Sequence, residues 1–396
     1  MKKAAPETTA GIGSGVRNPA LRPPDNPNPV HQGVYRPLGP IDGRGGVNTC
    51  GPYEPVVGWP ADAHPGEWRT GSGRGVYAES PDRIVMVYGG EVPAYEDQGV
   101  WGVNIFRDLR YTEINGRLHS GHRHCHEVVV YDRAGNIVDT WDQWLDTFQE
   151  NDRRLGRRTK SGHINRIRVS RYDPDRHIWL VGLANNGVFK FSNDGSRLVM
   201  KVDAENVPEE YHPFIYAQDV AFLPNGDFYV AHLHHLMRFS ADGTFLGAIG
   251  GQGVGRLQFD EIHDVQVHPD TLDLYVNDRV NERIQVLDQD GGFKEMWEGF
   301  QGFYCIRLTA DGEHLWGGNG FVHKFLKYDL GGRLIPEATW GTFGIAPGAI
   351  WGPHWFDTDS EGNLYVAEDY SGRLQKFLPM PDARPDDPQL IGALAL

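Results

Sequence analysis

Between residues 73 and 378 the chain repeats one arrangement of apolar and polar positions, in which short runs rich in Val, Ile, Leu, Phe and Tyr are each closed by a polar turn. Gln218-Asp219-Val220-Ala221-Phe222 leads through Asn225-Gly226-Asp227 to Phe228-Tyr229-Val230, then to Arg238-Phe239 and the turn Ser240-Ala241-Asp242-Gly243. The same order returns at His263-Asp264-Val265-Gln266-Val267, Leu274-Tyr275-Val276 and Arg283-Ile284-Gln285-Val286-Leu287, and again from His354 through Tyr365-Val366 to Lys376-Phe377. Runs this short, bounded by Gly, Asn and Asp, predict strands joined by tight turns. With an outer run such as Phe245-Leu246-Gly247-Ala248-Ile249, each unit has four strands in about 40 residues, the period of a β-propeller blade.

Six units can be read. Blade one opens at Gly73-Arg74-Gly75-Val76, blade two at His163-Ile164-Asn165-Arg166, blades three and four at Gln218 and His263, blade five at Tyr304-Cys305-Ile306 and blade six at His354. The last unit stops after its third strand. Tyr53-Glu54-Pro55-Val56-Val57-Gly58-Trp59 resembles the outer strands and is expected to close the ring from the N-terminal side, which removes an open sheet edge. The expected fold class is therefore all-β, a six-bladed β-propeller over residues 51–380. An extended N-terminal arm over residues 1–50, rich in Pro, Gly and Asn, and a C-terminal tail over residues 381–396 flank it. An insertion over residues 89–121 interrupts blade one, and a loop of that length predicts a cover over the functional face.

Composition narrows the function classes. A formal charge of -15 argues against nucleic acid and acidic membranes as partners, since phosphate contacts need a basic stripe. No apolar run is long enough to cross a bilayer, and no apolar stretch follows Lys2-Lys3, so a soluble cytoplasmic protein is expected. Cys50, Cys125 and Cys305 are an odd, scattered set and predict no disulfide framework. The expected partner is a small molecule; the sequence leaves the oligomeric state open.

The chemistry is expected on the axis. Aligned on their second strands, the six units place Arg74, Asn165, Gln218, His263, Tyr304 and His354 in one slot at the mouth of the innermost strand. His263 and His354 come from blades four and six, and His163 stands two residues before the slot of blade two. Three imidazoles around the axis with an open position are what a catalytic zinc needs, although the same histidines could instead hydrogen-bond across a wet channel. A second group, His119, His122, His124 and His126 around Cys125, is expected to line the rim, as are His232, His234 and His235 of blade three.

The run from His263 to Leu287, with Asp278-Arg279 and Asn281-Glu282-Arg283-Ile284-Gln285, and blade six with Pro353-His354 and Ala367-Glu368-Asp369-Tyr370, resembles peptidyl-α-hydroxyglycine α-amidating lyases within the wider NHL-repeat propellers. That resemblance implies a zinc ion on the axis, with His263 and His354 as two ligands and Arg279 as an active-site arginine. The third ligand position holds Asn165, with His163 displaced by two. The family's catalytic tyrosine has no counterpart in Ala231-His232-Leu233-His234-His235, and Trp355 follows His354 where the family tends to have aspartate, so peptide amidation is not expected.

The expected activity is that of a metal-dependent lyase or hydratase on a small oxygenated substrate, with hydrolysis of an ester or lactone, or non-catalytic ligand binding, as alternatives. In this reading Zn2+ is held by His163, His263 and His354, while Ca2+ would want more oxygen ligands than the slots offer. Arg279 and Arg74 act on the substrate, Tyr304 or a rim histidine such as His122 moves protons, and Gln218, Arg166, Tyr370 and His234 bind the substrate.

Overall fold

The computed structural model describes residues 50–61, 68–93, 111–114, 117–120, 125–148, 150, 164–182, 187–212 and 217–396. The arm expected over residues 1–50 lies outside them except for Cys50, as does most of the insertion. Within the described residues of the insertion, Glu91–Pro93 pairs with Trp68–Thr70 and Tyr111–Ile114 with Arg117–Ser120.

Six four-stranded antiparallel sheets form the blades, each in chain order from the innermost strand outwards. The innermost strands are Gly73–Ser80, Ile164–Val169, Ala217–Phe222, Ile262–Val267, Phe303–Leu308 and Pro353–Thr358. Blade six takes its outer strand from the other end of the propeller: Tyr53–Pro55 pairs antiparallel with Leu374–Pro379. The fold is the expected six-bladed propeller, closed by the expected N-terminal strand.

The turns between third and outer strands explain the spacing of glycines. Gly135, Gly195 and Gly332 adopt φ of 85°, 72° and 74°, where residues with a Cβ are disfavoured. A tryptophan from the preceding unit also packs closely against each of them: a Cβ on Gly195 would fall 2.1 Å from Trp141, and one on Gly332 would fall 2.5 Å from Trp297. Small residue and large ring thus interlock blade to blade, and the apolar clusters lie between adjacent blades rather than in one central core.

Every innermost strand is bulged at its second residue. The pairing register jumps across Arg74, Asn165, Gln218, His263, Tyr304 and His354, one in each blade. A bulge leaves the extra residue out of the ladder and re-aims it. Here it delivers six equivalent side chains, all buried, to one end of the axis.

Below that ring the next inward-facing rows carry charge. Arg166, Asp219, Asp264 and Trp355 each follow a slot residue, and Arg168, Arg307 and Asp357 lie two positions further along. Asp219 Oδ2 accepts from the Val265 amide of the next blade at 3.0 Å, Asp264 Oδ2 from Ile306 at 2.8 Å, and Asp357 Oδ2 from Ala78 at 2.9 Å. These carboxylates stitch neighbouring blades through their backbones. The tail adds to the far end of blade five, where the Ala395 amide donates to Leu308 O and Arg307 donates to Ala395 O.

Candidate axial site

The slot ring is organised by its own bulges. A carbonyl excused from the ladder needs another donor when buried, and side chains of the preceding slot supply it. Asn165 Nδ2 donates to Gln218 O at 3.1 Å, His263 Nδ1 to Tyr304 O at 2.7 Å, and His354 Nδ1 to Arg74 O at 2.6 Å. A carbonyl can only accept, so Nδ1 of both histidines carries the proton and Nε2 keeps its lone pair. The two rings are neighbours, with centroids 5.4 Å apart at 74°. Burial, then the Arg279 and Arg166 guanidiniums and His354, hold His263 well below the usual imidazole pKa, so it is neutral at physiological pH.

Tyr304 packs against both imidazoles, at 5.8 Å from His263 and 5.6 Å from His354, and its hydroxyl is hydrogen-bonded to that of Tyr370. Arg279 lies over the Tyr304 ring at 5.4 Å and is paired with Glu261 at 2.5 Å. Gln218 joins the same carboxylate at 3.3 Å and receives Asn165 at its Oε1, while Arg74 pairs with Asp369 at 3.4 Å. From Tyr304 a run of rings leads outward over the rim: Tyr370, then His323, then Phe343, which is exposed, with Phe321 edge-on to Tyr304 on the other side. One wall of the site is therefore aromatic and another is made of paired charges.

Of the residues expected from sequence, Arg74, Gln218, His263, Tyr304 and His354 meet in the ring, and Arg279 and Tyr370 join it through Tyr304. His163 and His122 lie outside the described residues, as do the side chains of His119 and His124. The bulge of blade two falls on Asn165, so the slot there is filled by an amide. Two positions differ from expectation. Arg166 is fully buried below the ring, and its donors go to backbone carbonyls instead of to a substrate surface. His234 turns to the loop before blade four, with Nδ1 3.2 Å from Phe259 O and 3.7 Å from Asp260. The rim histidine His126 pairs with Asp142 at 3.4 Å.

Sequence reading missed Glu261, Asp369 and His323. The first two are each within two residues of an expected site residue, and an acidic side chain that close to one was the available signal; in the fold they pair with Arg279 and Arg74. His323 stands in the blade-five loop matching that of Arg279, and burial lowers its pKa to about 4. Among the described residues, the set of three or more ligating groups close enough to share an ion is Asp173, Asp175 and His177, in the turn at the far end of the Asn165 strand. Hydrogen bonds within that turn and Lys190, 3.4 Å from Asp173, account for it.

No protein-family model matches the chain. Its sequence is similar to peptidyl-alpha-hydroxyglycine alpha-amidating lyase 1 of Drosophila melanogaster, 26% identical over 246 residues, or 54% of this chain and 44% of the fly protein. It is also similar to NHL repeat-containing protein 3 of Homo sapiens, 23% identical over 301 residues covering 67% and 77% of the two chains, and of Mus musculus, 29% over 168 residues covering 38% and 45%. The chain thus spans less than half the length of the fly and mouse relatives. Solved structures that superpose on it include a streptogramin B lyase, at TM-score 0.47 and 12% identity over 78% of this chain and 93% of that one. The WD40 beta propeller domain of Doa1 superposes at TM-score 0.47 and 12% identity over 82% and 96%. Six blades, their closing strand and these sequence matches make the chain a six-bladed β-propeller that resembles the NHL-repeat proteins and the amidating lyase.

Proposed function

We propose that this propeller is a metal-dependent enzyme, a lyase or hydratase, acting on a small oxygenated substrate at the slot end of the axis. The observation that carries the reading is the pair His263 and His354, adjacent, buried and each tied by Nδ1 to a backbone carbonyl. Metal-ligating histidines are commonly oriented in this way, because a hydrogen bond at one nitrogen fixes the tautomer and frees the other for the ion. Imidazole donors suit zinc better than calcium. The remaining protein ligand in this reading is the Asn165 side-chain oxygen or His163.

The chemistry supplied by a bound divalent ion is polarisation of a substrate oxygen. Around it, Arg279 orients an oxygen-rich or anionic group with donors left over from Glu261. The hydroxyl pair of Tyr304 and Tyr370 holds or passes a proton at the substrate. The ring wall from Tyr370 to Phe343 accommodates an apolar portion and excludes water. The elimination class is favoured because a relative matched over 54% of this chain is an amidating lyase.

A second reading, anion binding without metal, draws on Arg166, whose guanidinium nitrogen lies 3.5 Å from His263 Nδ1 and places a fixed positive charge beside the pair. Metal analysis after zinc loading and desalting separates the two. About one equivalent in the wild type, lost in the His263→Ala, His354→Ala double variant, supports the metal reading. No bound metal in the wild type, or metal retained by the double variant, overturns it. With a turnover substrate in hand, 18O water then divides the classes, since a hydrolase incorporates the label at the cleaved bond, a hydratase incorporates it without cleaving the substrate, and an eliminating lyase does not incorporate it.

A further inference from the structure

Arg166 extends from blade two across the axis and touches the slot residues of three other blades. Its Nη1 donates to His354 O at 3.0 Å, and its Nη2 to His263 O at 3.2 Å and Tyr304 O at 3.3 Å. These are bulge carbonyls, turned towards the axis because the ladder does not use them. The guanidinium is held from two sides, stacked over the Trp355 ring at 4.3 Å and 3.8 Å from Asp219 Oδ1. It is fully buried.

A buried cation is costly unless its donors are met, and here both Nη atoms are met by the backbone of the two histidines and the tyrosine that make the site, while Nε faces the Asp219 carboxylate. Each of those residues sits at a bulge, where the ladder does not determine where the side chain points. A planar fork with five fixed donors can bind several carbonyls at set angles, whereas an ammonium offers one point of charge.

We propose that Arg166 is a positioning residue that fixes the bulges of blades four, five and six and thereby sets the relative placement of His263, Tyr304 and His354. The metal arm of its test rests on the proposed function, and the second arm does not. Removing a group that orients metal ligands typically lowers metal affinity about 10- to 100-fold. Arg166→Met keeps the length and removes the donors; Arg166→Lys keeps the charge and removes the fork.

In the first arm, zinc affinity of the full chain is measured by chelator competition. In the second, spectra of metal-free protein labelled with 13C-histidine follow the His263 and His354 ring signals, assigned with His263→Asn and His354→Asn. Both Arg166 variants are expected to displace or broaden those two signals, with zinc binding weakened at least about 10-fold in Arg166→Met and at least about threefold in Arg166→Lys. Unchanged ring signals in a folded variant overturn the proposal. So does wild-type behaviour of Arg166→Lys, which would assign the effect to charge. If Arg166→Met does not fold, the lysine variant decides. If the wild type binds no zinc, the metal reading fails while the ring signals still decide the role of Arg166.

Discussion

Asp219 is the residue whose replacement tests most sharply how the axis below the site holds together. Its carboxylate receives Arg168 at 2.8 Å and 2.5 Å and the Val265 amide at 3.0 Å, with no solvent exposure. The same Arg168 nitrogen reaches Asp264 at 3.1 Å. Burial tends to raise the Asp219 pKa, but the Arg168 and Arg166 guanidiniums outweigh it, and Asp219 stays ionised. Asp264 pays the difference: burial and the Asp219 charge push it up to about 7.

Stripping one partner from a buried ion pair costs about 3–5 kcal/mol, and leaving the Val265 amide without an acceptor adds about 1–3 kcal/mol. Asp219→Ala is therefore expected to lose at least about 4 kcal/mol. Asp219→Asn keeps an acceptor for Val265 and removes the charge that suppresses ionisation of Asp264. Asp264 then ionises at pH 7 and takes over Arg168, so this variant should lose only about 1–2 kcal/mol, within the usual range for a point substitution. Asp264→Asn alone should cost little, because that group is already partly protonated at neutral pH.

The double variant Asp219→Asn, Asp264→Asn leaves Arg168 with neither carboxylate and should exceed the sum of the singles by about 1–3 kcal/mol, the coupling expected within one network. Urea unfolding at pH 7 reads this directly, as shifts in midpoint at constant slope. Additivity of the two single effects to within about 0.5 kcal/mol would refute the shared-counterion argument. So would Asp219→Asn proving as costly as Asp219→Ala.

Ring closure and acid stability give two further tests. Tyr53 is buried among Trp340 and Phe377, and its hydroxyl accepts the Ile391 amide at 3.0 Å. Tyr53→Phe should cost about 1–2 kcal/mol for the unmet amide, and Tyr53→Ala about 3–5 kcal/mol more for the lost ring, by urea midpoint; equal effects would show that the closing strand does not depend on that ring. His232 is pushed down to about 4 by burial first, then by His235 and His234. Its folded pKa lies below its unfolded value, so its neutral form is favoured in the fold, and stability falls as pH drops from about 6.5 to 4, by up to about 3 kcal/mol. His232→Asn should flatten the difference in urea midpoint between pH 7 and pH 4.5, and an unchanged difference would contradict the assignment.

The ring of six slot residues was legible because the repeat supplies its own alignment: a residue that opens one innermost strand marks the opening of the others, and His263 and His354 stand out against that register. The bulges were not legible. A bulge is a property of pairing between strands, and nothing in Ile262-His263-Asp264 distinguishes it from an unbulged start. Its consequence, five slot carbonyls that accept side-chain donors, was hidden with it, and so was the reason that Arg166 serves backbone instead of substrate. The blade-two slot turned on the same point: the structure puts the bulge on Asn165, one residue inside the strand.

The charged rows below the slot could have been read, since Arg166, Arg168, Asp219, Asp264, Arg307 and Asp357 interrupt strands whose other positions, apart from the slot residues, Gln266 and Thr358, are apolar. Burying a charge costs more than burying valine unless a partner waits at a fixed place, so an arginine in an innermost strand implies an acid, a carbonyl or an aromatic face in another blade. Trp355 is that face for three guanidiniums, Arg166, Arg168 and Arg307, at 4.3, 4.2 and 4.7 Å. With aspartate in its place the axis would carry a fourth carboxylate and no ring to separate the three cations. The tryptophan that departs from the amidating-lyase pattern is thus tied physically to the arginines around it, and the base of the axial site has to be understood as one unit with the histidines above it.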